Sequence, residues 1–139
     1  MRKIEAVNLL IVDDDEIDAL TMTRALLKVI PANRVKVANS GAEGLALLRS
    51  GTVSRPFIVL VDISMPVMNG HEFVAELRKD ASLRNSVVFM VTTSSSAADI
   101  QKAYDQCVAG YVVKNAAGAD FSKVVEMLQY YSRVVVFPE

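Results

Sequence analysis

The chain has 139 residues, of which 52% are hydrophobic and 22% charged, with a formal net charge of -1. That length fits one domain, and the near-neutral balance excludes the strongly basic footprint of a nucleic-acid binder. Lys and Arg gather into no polybasic membrane patch, and a lone cysteine, Cys107, excludes an internal disulfide or a zinc cluster.

The opening MRKIEAVNLLIVDDDE runs from charged to apolar to acidic. Its apolar part is too short for a signal segment, and no run approaches the roughly 20 residues that span a bilayer. A cytoplasmic protein is expected. VNLLIV reads as a strand closing at Asp13, followed by a helical segment over 15–30 that stops at Pro31. RVKVA, around Val37, reads as a second strand. Ser40 with Glu43 forms a capping box opening a helix that ends near Gly51. RSGTVSRPF is the loosest stretch and reads as a surface loop. FIVLV closes at Asp62, and the Asn69-Gly70 turn signal precedes a helix over 70–79. VVFMV closes at Thr92, and Ser96 with Asp99 caps a helix ending near Gly110. GYVV closes at Lys114, and a last helix spans about 120–133, leaving 133–139 as a tail.

The apolar runs are short, β-branched and mostly not alternating, as strands covered on both faces are. Strand and helix alternate five times, which predicts one α/β domain over 1–139, a doubly wound parallel sheet in a three-layer sandwich.

Parallel strands put all their C-terminal ends on one edge, where open α/β sheets bind ligands. Asp13-Asp14, Asp62, Thr92 and Lys114 each close a strand. Any one of them alone is an ordinary polar strand end, but four together predict a site. Carboxylates brought this close repel unless a cation sits among them, and hard oxygen ligands with room for water suit Mg²⁺. Lys114 adds a positive point charge for phosphoryl oxygens, and the Thr92 hydroxyl can donate to another. In that setting a carboxylate can attack a phosphoryl donor, in a transfer that needs mainly positioning and charge stabilisation.

At these residues the chain resembles the receiver domain of two-component response regulators. LLIVDDD carries the acidic pair, VDISMPVMNG the D-x-x-M-P-x-M-x-G signature, MVTTS the threonine, and GYVVK the aromatic Tyr111 and the lysine. The resemblance implies a flavodoxin-like five-stranded sheet in the order 2-1-3-4-5. It implies that Asp62 takes a phosphoryl group from a partner histidine kinase. Asp13, Asp14, Asp62 and the backbone carbonyl of Ser64 would hold Mg²⁺. Thr92 would turn towards the phosphoryl group and Tyr111 would follow inward, a two-state mechanism. Receivers usually carry Pro after the lysine, where this chain has Asn115. A cis bond before a non-proline costs about 2.5–4 kcal/mol, so a trans bond and a different loop are expected. The acidic first-helix start, the ASLRNSVVFMVTTSS stretch, Asn115 and the aromatic tail resemble stand-alone regulators that pair with phytochrome histidine kinases.

Phe121, Val124, Val125 and Leu128 form a helical stripe for the core. Met127, Tyr130, Tyr131 and Val134 form a second one, expected to build a homodimer together with the tail. The competing expectation is a tail folded back on its own domain. His71 reads as a solvated residue at a helix start and Cys107 as a buried small hydrophobe. Asp15, Glu16 and Asp18 read as helix-capping charges. A phosphatase of the haloacid-dehalogenase type would need a second Asp two residues after the nucleophile, where Ser64 stands, and a binding module with a vestigial pocket is the other rival. The chain is read as a switch and not an enzyme. With no second domain in this sequence, its signal is expected to leave by protein contact.

Overall fold

The structure is a computed structural model and describes residues 3–138. Five strands, β1 (Asn8–Val12), β2 (Val35–Ala38), β3 (Phe57–Val61), β4 (Val87–Thr92) and β5 (Gly110–Val113), form one sheet in the order β2-β1-β3-β4-β5. Every pairing is parallel, with Val12 beside Ala38 and Val61, and Thr92 beside Val113. Five helices connect or follow them: α1 (Glu16–Leu26), α2 (Gly41–Arg49), α3 (Gly70–Lys79), α4 (Ala97–Asp105) and α5 (Ser122–Val134). The expected doubly wound, flavodoxin-like order is the one observed.

Successive strand residues serve opposite layers, because side chains alternate across a sheet. Leu9, Ile11, Ile58 and Leu60 pack with Met22 and Leu26 of α1 and Val124 and Leu128 of α5. Leu10, Val12, Val59 and Val61 pack with Leu45 and Leu48 of α2 and Phe73, Val74 and Leu77 of α3. Two apolar layers on one sheet explain why the strands read as unbroken apolar runs.

Local details depart from the expected ones for tertiary reasons. Helix α1 ends at Leu26, and residues 27–30 turn before Pro31. Helix α4 ends at Asp105, and Cys107, at φ 61, reverses the chain into β5. Cys107 is therefore exposed, not buried. The Arg78 guanidinium fixes this reversal by donating to the carbonyls of Gln106 and Cys107 at 2.8 and 3.0 Å. The loop before β3 is not loose: Val53 is buried, and the Asn8 amide donates to the Ser54 carbonyl at 2.7 Å. Among the described residues the one cis peptide is Arg55–Pro56, so the bond before Asn115 is trans as expected, within a short 3-10 turn over Lys114–Ala116.

The second stripe of α5 is divided. Met127 and Tyr131 pack against their own core. Tyr131 lies edge-on to Phe89 at 5.1 Å and to Phe137 at 6.0 Å. Phe137 is buried, so the tail does return to its own domain. Tyr130 and Val134 remain exposed, at 68% and 75%, with Val136 beyond them at 92%. Among the described residues no helix is long and apolar enough to cross a membrane.

Candidate functional site

The C-terminal ends of β1 and β3 are neighbours in the sheet, so their following residues meet. Asp13, Asp14 and Asp62 offer carboxylate oxygens that all lie within 4.8 Å of one another. Asp13 and Asp62 are buried and Asp14 is exposed, which gives the cluster a closed base and an open mouth. The N–H of Asp62 donates to the Val12 carbonyl at 3.0 Å, and the N–H of Asp13 to the Ala38 carbonyl at 3.1 Å. Both acids are thus set by the sheet ladder itself.

Lys114 reaches in from the end of β5. Its Nζ donates to Asp18 Oδ2 at 2.7 Å, to Asp13 Oδ2 at 3.0 Å and to Asp62 Oδ2 at 3.3 Å. The ammonium is itself buried. Burial works against its charge, but the bonds to Asp18 and Asp13 outweigh it and hold its pKa well above the ordinary lysine value. Burial pushes the Asp13 carboxyl up, against the pull of the Asp15 N–H and of Lys114. Three carboxylates thus meet one ammonium, and Asp14 adds a fourth to the cluster. This surplus of hard, anionic oxygens around an open mouth is the donor chemistry that Mg²⁺ takes. The residues fit a divalent cation held by Asp13, Asp14 and Asp62. Ser64 is exposed next to them, its N–H turned to Asp62 Oδ1 at 3.4 Å.

The loop from β3 to α3 shapes the rim. Val67 adopts φ 67 and is fully exposed, while the N–H of Met68 closes onto the Pro66 carbonyl at 2.7 Å. A β-branched residue in that region is strained. Gly70 then passes so close that a Cβ there would fall on the Asp62 carbonyl and within 2.8 Å of the Ile63 Cα. Asn69 and Glu72 complete a reciprocal capping box under it.

Thr92 is fully buried at the end of β4. The Ser94 N–H lies 3.4 Å from its Oγ1, and the Tyr111 hydroxyl donates to the Ser94 carbonyl at 2.9 Å. The Tyr111 ring is half-buried against the α2–α3 layer.

Two residues behave differently from their expected roles. His71 is not solvated but 4% exposed, because the first turn of α3 carries it inward to meet α4, where its Nε2 pairs with Asp99 Oδ1 at 3.0 Å. Asp15 does cap α1, accepting from the N–H groups of Ile17 and Asp18 at 3.0 Å. Asp18, however, also holds Lys114. The signal for that was its place: Asp18 lies in the first turn of α1, which opens directly after the acidic pair.

Residues 9–126 match the family model of the response regulator receiver domain. Over 126 residues the chain is 30% identical to a probable methanogenesis regulatory protein, FilR2, of Methanothrix harundinacea, covering 88% of this chain and 81% of that one. The phosphorylated cyanobacterial phytochrome response regulator RcpA superposes with a TM-score of 0.78 at 26% identity, over 100% of both chains. A response regulator in red light signalling of R. palustris does so with a TM-score of 0.77 at 26% identity, over 95% of this chain and 99% of that one. With the sheet order, the acidic edge and the matched span in agreement, the chain belongs to the response regulator receiver domains, the phospho-accepting signalling switches of two-component systems.

Proposed function

We propose that Asp62 is the phospho-acceptor of this chain and that a partner histidine kinase is the donor. The observation that carries this reading is the convergence of the Asp13, Asp14 and Asp62 oxygens within 4.8 Å, with the Lys114 ammonium 3.3 Å from Asp62. An Asp62 oxygen attacks phosphorus, the bond from phosphorus to the donor imidazole nitrogen breaks, and that nitrogen keeps the bonding electrons and takes a proton. Asp13, Asp14 and Asp62, with the carbonyl of Ser64, would hold Mg²⁺, which neutralises charge on the transferring group. Lys114 gives a second positive charge to its oxygens, and the Thr92 hydroxyl is the donor placed to follow. Tyr111 would couple that movement to the α4–β5 surface.

The chain acts as a switch and not as a turnover enzyme: the acid/base position of an aspartate phosphatase is occupied by Ser64. Similarity to the phytochrome regulator RcpA and to a red-light regulator supports a phytochrome-type kinase as the partner, and membership of the receiver family is consistent with the cytoplasm as the place. Exposed Tyr130, Val134 and Val136 support a homodimer on the outer side of α5, smaller than the whole second stripe. Signalling by protein contact follows from the same surface.

Incubation with acetyl phosphate and Mg²⁺, followed by intact mass measurement, tests the reading. A phosphoryl-sized increase is expected in the wild type and is absent from Asp62→Asn. A folded wild type that gains no mass under any condition refutes it.

A further inference from the structure

The buried His71 has no part in the reading above, yet it stands at the centre of a chain of contacts. Its Nε2 pairs with Asp99 Oδ1 at 3.0 Å, across the gap between α3 and α4. The other oxygen, Asp99 Oδ2, accepts from the Ser94 hydroxyl at 2.6 Å. Ser94 is the residue whose carbonyl receives the Tyr111 hydroxyl at 2.9 Å and whose N–H faces the Thr92 hydroxyl oxygen at 3.4 Å. One carboxylate thus ties a buried imidazole on α3 to the loop between both residues of the switch. The His71 Nδ1 is buried and accepts nothing. With Nε2–H donating to the carboxylate, only an acceptor is left unpartnered, so that tautomer fits the site. A purely structural tie would need only α3 and α4. Here the carboxylate is shared with the one loop residue that contacts both Thr92 and Tyr111.

We propose that the His71–Asp99 pair is a latch on the Thr92–Tyr111 switch: it fixes Ser94 so that its carbonyl receives the Tyr111 hydroxyl, and so favours the inward arrangement of Tyr111 that goes with phosphoryl acceptance at Asp62. His71 is then a positioning residue that touches neither the phosphoryl group nor the metal cluster. The inference rests on the phospho-acceptor reading of Asp62. By linkage, whatever favours inward Tyr111 strengthens binding at the acidic edge, and the reverse.

Beryllofluoride with Mg²⁺, the probe for the phosphoryl state, can be titrated calorimetrically into the full chain. His71→Leu, which fills the space without an N–H, is expected to bind roughly five- to tenfold more weakly. His71→Gln, whose amide can donate from a similar place, should recover most of the loss. Asp99→Asn, at a partly exposed position, should weaken binding in the same direction. The double variant His71→Leu/Asp99→Asn should be no weaker than the worse single one. The Tyr111 ring resonances should shift in His71→Leu and return in His71→Gln. Wild-type affinity in folded His71→Leu and Asp99→Asn overturns the latch. Equal losses in His71→Leu and His71→Gln, with unmoved Tyr111 resonances, reduce the pair to a structural tie and overturn it too. A wild type that binds no beryllofluoride refutes instead the phospho-acceptor reading beneath it.

Discussion

The acidic edge and the α4–β5–α5 face are built in opposite ways. At the edge, Asp13, Asp62, Thr92 and Lys114 are all buried, and strand ends or ion pairs hold them. On the other face β5 is only half-buried, α4 buries Ala103 alone, and Tyr104 and Tyr130 stand 49% and 68% exposed. The groups proposed to meet a phosphorus atom sit on the stiff part of the sheet. The groups proposed to report the event sit where little packing opposes a shift. The Ser94–Tyr111 contact is where the two regions join.

Substitutions should separate these regions by what they disturb. The largest stability effect is expected from Lys114→Met, which leaves the buried carboxylates of Asp13 and Asp62 without their cation. A loss of about 3 kcal/mol is expected by urea unfolding in chelator, with part of it recovered when Mg²⁺ is added. Next comes Gly70→Ala, whose methyl would displace the Asp62 carbonyl. About 1–3 kcal/mol is expected, with weaker Mg²⁺ binding by calorimetry; an unchanged affinity would mean that the rim does not set Asp62.

The pH dependence of Asp13 follows in size. Its folded pKa is raised above the ordinary 3.8 by burial, so the fold favours the protonated carboxyl. That contribution is present below the unfolded value and is lost as pH rises through the folded one. In chelator, the thermal midpoint of Asp13→Asn should therefore gain on the wild type as pH rises from about 4. A constant difference would contradict the burial argument. The smallest stability effect belongs to the other face. Tyr130→Ser with Val134→Ser should change stability by no more than about 0.5 kcal/mol per site. Sedimentation should still show a dimer becoming a monomer, whereas a wild type already monomeric at tens of micromolar ends the dimer proposal.

The same division governs what could be read from the amino acids. Strand ends carry the site, and apolar runs closing at Asp13, Asp62, Thr92 and Lys114 put every one of these residues at one edge. Helix α3 spans residues 70–79, as expected, because a local capping box opens it. Where a neighbour decides, local signals failed. Asp99 looked like half of a capping box. Ser96 does cap α4 through the Asp99 N–H, but the Asp99 side chain turns to Ser94 and His71 instead. His71 looked solvated because nothing within α3 tells of α4, 28 residues away. Cys107 lies where an expected helix had already ended. Half of the second α5 stripe packs on its own core, where Tyr131 also meets the Phe137 that follows it, a packing choice periodicity does not encode.

One carboxylate among several is proposed to take the phosphoryl group. After acetyl phosphate and Mg²⁺, borohydride reduces an acyl phosphate to an alcohol, and peptide mass analysis can then locate the altered residue. The change is expected at Asp62 in the wild type, at neither Asp13 nor Asp14, and nowhere without a divalent cation. A modified Asp13 or Asp14 with Asp62 untouched would contradict it.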